Sequence, residues 1–420
     1  MKISKEQIKW YGRNFDNKGI RYFDFSNSGF EFCFKGTKAS CKILSDPENW
    51  NKENYGVLGV YVSKLSNVRD YEGKSFWESF PEEYSKKIIL ENKENNVVLY
   101  ESEKEELVLI RVLKISEAAF GYAGFDFLEI DGKLVKKNYK KLEKTDNLKI
   151  EFIGDSITCG YGIEGIYMKD TFTTSQERSD KAYAFKTAKG LNAEFQCVSW
   201  SGIGLISKYV DASIDIPDTT ITMPLLWPYT DKSASLRLGV EPEVWDESRF
   251  SPDIVVINLG TNDASFVRKE EGRRVLYVHN LRVLIESVHR RSPNAKICCC
   301  LGLMGQDLCS SVKEAVELFN KDFPAVKIKA VELPVQVDED GIATDWHPSE
   351  KTHGKVAEIM VKELKENALS GKQWKYIESP AHQIDESGFE EFDSTFEQME
   401  KKYCYTQELF YIYSRSNVLR

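Results

Sequence analysis

The sequence predicts an α/β fold in which a parallel sheet, covered by helices on both faces, follows an all-β sandwich. Residues 1–140 hold short β-type runs separated by Gly, Asn, Asp and Lys clusters, with no long helical pattern between them. From residue 145 to 370, apolar runs alternate with segments of helical spacing, which is typical of a parallel sheet. Residues 371–420 are rich in aromatic side chains and form a third predicted region, a helical extension.

The expected strands follow from apolar runs bounded by turn residues. In the first region they cover residues 20–25, 30–34, 57–62, 97–100, 107–112 and 120–130. In the second region they cover residues 148–153, 195–198, 254–259, 297–303 and 326–331. Residues 275–288 and 355–364 show the spacing of helices that cover such a sheet.

Composition argues against several classes of partner. The formal net charge is −9 and no block of Lys and Arg stands out, which disfavours nucleic acids and anionic membranes. No apolar stretch reaches the ~18 residues of a membrane-spanning helix, and the N-terminal stretch does not resemble a secretory signal. The nine cysteines are scattered and do not pair into zinc-binding motifs, so a cytoplasmic protein is expected.

The C-terminal region carries one apolar stripe. Its members follow a 3-4-3-4 spacing and are Phe389, Phe392, Phe396, Met399 and Tyr403. Such a stripe packs either on the chain's own body or on a neighbouring subunit. A homo-oligomer formed through this segment therefore stays open as an expectation.

The stretch EFIGDSITCGYGIEG, residues 151–165, contains two competing motifs. Gly160, Gly162 and Gly165 spell the G-x-G-x-x-G fingerprint of dinucleotide-binding proteins. That fingerprint needs its first glycine directly after the strand and an acidic residue after the next strand. Here the expected strand ends near residue 153, and the next one ends in Ser-Trp-Ser. The glycines are therefore interpreted as a turn beside a pocket.

The second motif, Gly-Asp-Ser, places Ser156 at the end of a strand and the start of a helix. Open parallel sheets bind ligands at this edge. Ser156 is either a helix cap or a nucleophile, and a nucleophilic serine needs a base. His347 lies in the polar loop TDWHPS after the last strand, which returns to the same edge. His279 and His289 are interpreted as helix-surface residues, and His353 is a weaker candidate for the base.

An oxyanion formed at this edge would need hydrogen-bond donors aimed at it. Asn262 follows the strand 254–259 in the run GTND, and its amide is one candidate. A glycine after the strand 195–198 and the main-chain N–H of Ser156 are the others. The order Ser, Gly, Asn, His at the ends of successive strands indicates acyl-transfer chemistry.

These motifs resemble those of the SGNH hydrolases. The chain is more specifically similar to carbohydrate esterase family 2, through the runs "IEFIGDSITCGYG", "SGIG", "NLGTNDAS" and "DWHPS". The resemblance covers residues 1 to about 370. It implies a three-layer, flavodoxin-like SGNH domain behind an N-terminal jelly-roll sandwich. It also implies the nucleophile Ser156, the base His347, and the oxyanion donors Ser156, Gly204 and Asn262, with Gly204 preferred to Gly202.

The histidine motif departs from the SGNH pattern, in which Asp stands three residues before His. Here Thr344 holds that place and Asp345 stands two before His347. Within the family the orienting group varies, so the third catalytic member is either Asp345 or a main-chain carbonyl. Trp346 adjoins His347 and is the expected contact for a sugar ring.

The resemblance implies a serine esterase that removes O-acetyl groups from sugars or oligosaccharides, with 6-O-acetyl hexose units as substrate and no cofactor or metal. Two alternatives stay open. One is an SGNH hydrolase acting on lipid or thioester substrates, and the other is a non-catalytic carbohydrate-binding protein.

Overall fold

The protein contains two sheets in the part of the chain that the computed structural model describes, residues 1–46, 54–72, 76–135, 147–326 and 328–366. Ten strands pair in an antiparallel sheet, and five strands pair in a parallel one. The predicted succession of a β domain and an α/β domain is therefore confirmed. The expected helical extension, 371–420, lies outside the described residues, and so does the junction 136–146.

The first domain is built around two long central strands. Its strands are β1 (Lys2–Ile3), β2 (Lys9–Tyr11), β3 (Asn14–Asn17), β4 (Ile20–Phe23), β5 (Gly29–Ser45), β6 (Val57–Lys64), β7 (Lys86–Ile89), β8 (Glu94–Lys114), β9 (Ala123–Ile130) and β10 (Lys133–Val135). The hydrogen-bonded order is β3-β4-β9-β5-β8-β6-β7, with β1 on β9 and with β2 and β10 on β5. Phe30, Phe32 and Phe34 alternate along β5 and form the core on one face.

Two expectations about strands are corrected. Residues 97–100 and 107–112 belong to one strand, β8, because the polar residues between them stay paired with β5 near Lys38 and Gly36. The last predicted strand, 326–331, is displaced, and the observed β15 covers Lys329–Val335.

The second domain has three layers. Its strands are β11 (Lys149–Gly154), β12 (Glu194–Ser199), β13 (Ile254–Asn258), β14 (Lys296–Leu303) and β15 (Lys329–Val335), in the order β12-β11-β13-β14-β15. The helices Glu271–Arg291 and Cys309–Asp322 pack on one face of the sheet, and Tyr183–Gly190 and Glu350–Leu364 pack on the other. None of the helices in the described residues is long and apolar enough to cross a membrane.

The helices of the described residues are mostly short. They are α1 (Arg69–Glu72), α2 (Ser156–Cys159), α3 (Tyr183–Gly190), α4 (Met223–Leu226), α5 (Lys232–Arg237), α6 (Thr261–Val267), α7 (Glu271–Arg291), α8 (Cys309–Asp322) and α9 (Glu350–Leu364). Single 3₁₀ turns cover Lys5–Gln7, Ala118–Phe120, Thr174–Gln176, Ser179–Lys181, Glu247–Arg249, Asp338–Asp340 and Thr344–Trp346.

Polar contacts join the two domains at buried positions. Arg13, from the loop before β3, is fully buried and reaches the start of the parallel sheet. Its guanidinium donates to the main-chain oxygens of Trp227 and Tyr229 at 2.5 and 2.6 Å and lies 3.0 Å from the Glu151 carboxylate. Since a buried charge needs such partners, this contact ties the β domain to β11.

Candidate active site

Ser156 lies where three strand ends meet. β11 runs between β12 and β13, so that Gly154, the last residue of β11, pairs with Ser199 and Asn258. The Asp155 side chain then caps α2 by accepting a main-chain N–H, and Ser156 is the first residue of that helix. The loops that follow β11, β12 and β13 therefore converge on the Ser156 hydroxyl.

His347 is distant from Ser156 in sequence, near the C-terminal end of the second domain, but contacts it in space. Its Nε2 atom lies 2.8 Å from the Ser156 Oγ atom, a hydrogen-bonding distance. The histidine stands between the 3₁₀ turn Thr344–Trp346 and α9. Asp345 and Trp346 in that turn both have positive φ angles, 53° and 64°, and this backbone path turns the imidazole toward Ser156.

Main-chain oxygens orient the imidazole. The Nδ1 atom of His347 lies 3.2 Å from the Thr344 carbonyl oxygen and 3.1 Å from that of Asp345. Because carbonyls only accept, the network assigns the proton to Nδ1 and leaves Nε2 free to accept from Ser156. Burial lowers the pKa of His347 to about 4, so the ring is neutral at neutral pH.

The Asn262 amide lies on the other side of Ser156, in the first turn of α6. Its Nδ2 atom donates to the Ile203 carbonyl oxygen at 2.8 Å and lies 3.5 Å from the Asp155 Oδ2 atom. One amide hydrogen is thus committed to the loop after β12. The other makes only the long contact to Asp155 and is available for a bound oxyanion.

Comparison with known proteins agrees with this geometry. The profile of the GDSL-like Lipase/Acylhydrolase family matches residues 152–355, a range that contains Ser156, Asn262 and His347. Cellulase/esterase CelE of Acetivibrio thermocellus is 36% identical over 378 residues, which are 83% of this chain and 40% of that protein. An acetylxylan esterase / glucomannan deacetylase of Cellvibrio japonicus is 28% identical over 232 residues, 52% of this chain and 59% of that protein. The chain thus spans about half the length of these curated relatives.

Solved structures decide the family. A family two carbohydrate esterase from Clostridium thermocellum, in complex with cellohexaose, is 32% identical with a TM-score of 0.70. The match covers 88% of this chain and 100% of that one. The chain belongs to carbohydrate esterase family 2. The acetyl xylan esterase Est2A from Butyrivibrio proteoclasticus shares the fold, with a TM-score of 0.72 at 21% identity and coverage of 88% and 97%.

In this family 2 chain the Asp345 carboxylate does not contact His347. It accepts a hydrogen bond from the Tyr161 hydroxyl at 2.9 Å instead. The sequence left two groups open for orienting the His347 imidazole, and in the structure main-chain carbonyl oxygens do so. The expectation for the Asp345 side chain is corrected, because the left-handed turn points its main-chain oxygen at the imidazole and its carboxylate at Tyr161.

Tyr161 is a site residue to which sequence reasoning gave no role. Its ring stacks on Phe172, with ring centroids 3.7 Å apart and an interplanar angle of 8°. The same ring lies 4.2 Å from the His347 ring. Tyr161 therefore forms one wall of the site, and only its place in the glycine-rich turn after Ser156 hinted at this.

Gly202 and Gly204, the two glycines considered for the oxyanion site, differ in their surroundings. Gly204 is buried, and a Cβ atom there would meet the Ser207 carbonyl oxygen at 2.1 Å and the Asp263 carboxylate at 2.6 Å. Packing alone thus accounts for glycine at 204. Gly202 is partly exposed, has a φ angle of 76°, and has open space where a Cβ atom would stand. The preference for Gly204 as the donor stays a prediction, and Gly202, on the open part of the loop, is the donor adopted in the proposal below.

Asp263 holds the loop that follows β12. This fully buried carboxylate accepts the main-chain N–H groups of Leu205, Ile206 and Ser207 at 2.9, 2.8 and 3.3 Å. Burial raises the pKa of Asp263 to about 6, and burial likewise raises the pKa of Asp155 to about 7. The last residue of the GTND run is therefore a structural anchor, a role that the motif alone does not reveal.

The glycine triplet makes room for the histidine turn. A Cβ atom at Gly165 would stand 1.9 Å from the Thr344 Oγ1 atom. Gly162 accepts the Thr344 N–H through its carbonyl oxygen at 3.4 Å. Gly162 and Gly165 thus serve close packing of the turn that carries His347, whereas Gly160 lies against the main chain of Arg178. This agrees with the interpretation of the triplet as a turn beside a pocket.

The other histidines and the expected sugar contact are placed as follows. His353 is buried, and its Nδ1 atom accepts the Tyr183 N–H at 3.1 Å, so it fixes α9 on α3. His279 and His289 lie on α7.

Trp346 is 45% exposed beside His347, with its ring edge-on to Tyr167 at 5.1 Å. The described residues contain no cluster of three or more His, Cys, Asp or Glu that could hold a metal ion.

Proposed function

We propose that this protein is a serine esterase that removes O-acetyl groups from carbohydrates. The observation that carries the proposal is the 2.8 Å contact between the Ser156 Oγ atom and the neutral His347 imidazole. A serine hydroxyl is a weak nucleophile unless a base accepts its proton, and this geometry supplies that base. Membership of carbohydrate esterase family 2 supports the choice of substrate class.

The reaction follows from the contacts. His347 Nε2 takes the Ser156 proton while Oγ attacks the ester carbonyl, and the oxyanion forms among the N–H groups of Ser156 and Gly202 and the Asn262 amide. The imidazolium returns the proton to the sugar oxygen, which leaves as an alcohol. His347 then takes a proton from water, which attacks the acetyl group on Ser156, and acetate departs.

Exposed aromatic rings supply a surface for the sugar. Trp346 and Tyr167 form one flank of the site, beside His347. For the other flank we propose Tyr209, which is 62% exposed and whose main-chain N–H donates to the Gly202 carbonyl oxygen at 2.9 Å. Aromatic faces suit the apolar faces of pyranose rings, and a related family 2 structure contains cellohexaose. We therefore propose a β-linked oligosaccharide that lies between these flanks.

Turnover of p-nitrophenyl acetate, butyrate and octanoate, together with acetate release from acetylated oligosaccharides, tests the proposal. We expect acetate esters to be preferred by kcat/KM and Ser156→Ala to abolish turnover while the thermal melting temperature stays unchanged. A preference for octanoate would instead support a lipid or thioester hydrolase. Binding of cellohexaose without turnover of any ester would support a carbohydrate-binding protein.

Several expectations stay predictions. They are the 6-O-acetyl hexose position, the cytoplasmic location, the absence of a nucleic-acid or membrane partner, the independence from a cofactor or metal, and a homo-oligomer formed through residues 371–420.

A further inference from the structure

Two buried carboxyl groups lie beneath the loop that carries Gly202, and the mechanism above does not use them. Glu117 follows β8 and belongs to the first domain, whereas Glu177 lies between α2 and α3 in the second. Both side chains have no exposed surface. Charged groups are almost never fully buried without a partner, so this pair calls for a physical reason.

Hydrogen bonds connect the pair to the oxyanion loop. The Ser201 N–H donates to the Glu117 Oε2 atom at 2.6 Å, a short contact that is typical of a charged acceptor. The N–H of Glu117 donates in turn to the Glu177 Oε2 atom at 2.9 Å. Glu117, a residue of the first domain, thus binds Ser201, the residue directly before Gly202.

The remaining carboxyl oxygens imply a shared proton. The Oε1 atoms of both Glu117 and Glu177 are buried and accept no hydrogen bond from a donor among the described residues. The Glu177 Oε2 atom lies 2.9 Å from the Glu117 main-chain nitrogen, and the Glu117 charge raises the pKa of Glu177, so the two buried carboxyl groups are close neighbours. Two carboxylates cannot both stay charged in such contact, whereas a carboxylic acid can donate to its neighbour.

The surrounding charges indicate which carboxyl group holds the proton. Lys114 is the nearby cation, and its Nζ atom donates to the Glu117 carbonyl oxygen at 2.5 Å and lies 3.4 Å from Asp24. Burial and the neighbouring Glu117 charge raise the pKa of Glu177 well above its ordinary value, while burial raises that of Glu117. The nearby Cys159 thiol also has a raised pKa because of burial. Glu177 is therefore the protonated partner and Glu117 the charged one.

We propose that Glu117 and Glu177 form a positioning pair, in which Glu117 holds the Ser201 N–H and thereby aims the Gly202 N–H at the reacting carbonyl oxygen. The inference rests on the proposed esterase function and adds a group from the first domain to it. Neither carboxyl group touches the substrate. Their effect is on the oxyanion, which exists only in the transition state and the tetrahedral intermediate.

Steady-state kinetics with p-nitrophenyl acetate test the pair. Losing a whole oxyanion donor lowers kcat about 10²–10³-fold, so a misdirected one in Glu117→Ala should lower kcat at least about tenfold, with KM unchanged. Glu117→Gln keeps an oxygen that accepts from Ser201 and should restore most of that loss. Glu177→Gln mimics the protonated acid and should stay close to wild type.

Glu151→Gln is the matched control, because Glu151 is also a buried carboxylate but contacts Arg13, Gln196 and Trp227 rather than the Ser201 loop. It should lower the melting temperature and leave kcat unchanged. If Glu117→Ala shows the same pattern, with a lower melting temperature and wild-type kcat, Glu117 is only structural and the inference is wrong. A loss in Glu177→Gln as large as in Glu117→Ala would contradict the shared proton.

Amide exchange covers the case in which Glu117→Ala does not fold. The Ser201 N–H of the wild-type protein should exchange slowly with solvent and should stay protected in Glu117→Gln. Fast exchange in the wild type would overturn the inference. Inactivity of the wild-type protein on every ester would contradict the proposed function instead, and slow exchange at Ser201 would still stand.

Discussion

At the scale of single residues, His347 receives its orientation from the main chain. The oxygens of Thr344 and Asp345 that face Nδ1 cannot be removed by changing a side chain. They also carry less charge than a carboxylate, so they stabilise the imidazolium less during proton transfer. The Asp345 carboxylate contributes only indirectly, through Tyr161.

Asp345→Asn should therefore lower kcat less than about tenfold, whereas loss of an orienting carboxylate in a Ser-His-Asp triad lowers it about 10⁴-fold. Steady-state kinetics on an acetate ester measure the difference. Tyr161→Phe removes the other half of the same contact and serves as the matched variant, with a similarly small effect. A 10³-fold loss of kcat in Asp345→Asn would show that the Asp345 carboxylate orients His347 as the third member of a triad.

Asn262→Ala should lower kcat about 10²–10³-fold, the usual loss for one oxyanion donor, with a smaller change in KM. Asn280→Ala is a suitable control, since that amide donates to the Leu276 carbonyl oxygen within α7, away from Ser156. A wild-type kcat in Asn262→Ala would exclude its amide from the oxyanion site.

The acid side of the pH profile should reflect the buried imidazole. His347 acts as a base only when neutral, so kcat/KM should be full above its pKa and fall as the pH drops through it. That pKa is lowered to about 4 from an ordinary 6.5, which places the fall well below pH 6. The profile of kcat/KM from pH 3 to 8 measures this, and a midpoint at 6.5 would show that the imidazole is not desolvated.

Sequence reasoning singled out Ser156, Asn262 and His347 because each stands in a segment that follows a strand of a parallel sheet, and those strand ends share an edge. It could not distinguish the carboxylate of Asp345 from its carbonyl oxygen. That distinction depends on the positive φ angles of two consecutive residues, neither of them glycine, which no residue pattern announced. The choice between Gly202 and Gly204 likewise depends on the course of the main chain, which a residue pattern does not specify.

At the scale of elements, the glycine-rich segment after α2 and the turn Thr344–Trp346 act as one packed unit. They are distant in sequence, yet Gly162 and Gly165 both lie against Thr344. The glycine-rich segment therefore holds the turn that carries His347.

Gly165→Ala tests this unit. The added methyl group would overlap the Thr344 Oγ1 atom, 1.9 Å from the ideal Cβ position, and should displace the turn and lower kcat. Gly354→Ala is the control, because the space around that helical glycine is open and alanine favours a helix by up to about 1 kcal/mol. Crystal structures or kcat values that do not distinguish the two variants would contradict the packing argument.

The long strands show where local patterns fail at this scale. β8 was expected as two strands because residues 101–106 are polar, yet they continue the strand, and Glu101 and Glu106 pair with β5 on either side of an irregularity. An exposed face tolerates charged side chains, so polarity there does not end a strand. The inner strands β11, β13 and β14 lack this difficulty because almost all of their residues are buried, and their apolar runs were predicted within a few residues. The edge strand β15 has mostly exposed or partly exposed residues, and its predicted position was displaced.

At the scale of the whole molecule, buried polar contacts cross between the domains at both ends of the parallel sheet. Arg13 binds Glu151 in β11, and Glu117 binds the loop after β12. Buried ion pairs add little stability over apolar residues, but removing one partner is strongly destabilising.

Arg13→Ala should lower the free energy of unfolding by about 3–5 kcal/mol, because it leaves the Glu151 carboxylate buried without its cation. Lys35→Ala is the control, since its pair with Glu105 is exposed and such pairs contribute about 0–1 kcal/mol. Urea denaturation of both variants measures the contrast. Equal midpoints would show that the Arg13 contact does not join the domains.

The position of Glu117 also bears on how such genes recombine. A crossover in the junction 136–146 would join the β domain of one relative to the hydrolase domain of another, and would separate Glu117 from the Ser201 loop that it holds. The chimaera could fold and still misdirect an oxyanion donor. Recombination between relatives should therefore be tolerated only where the incoming β domain carries a carboxylate at this position, so that the two halves are inherited as one unit.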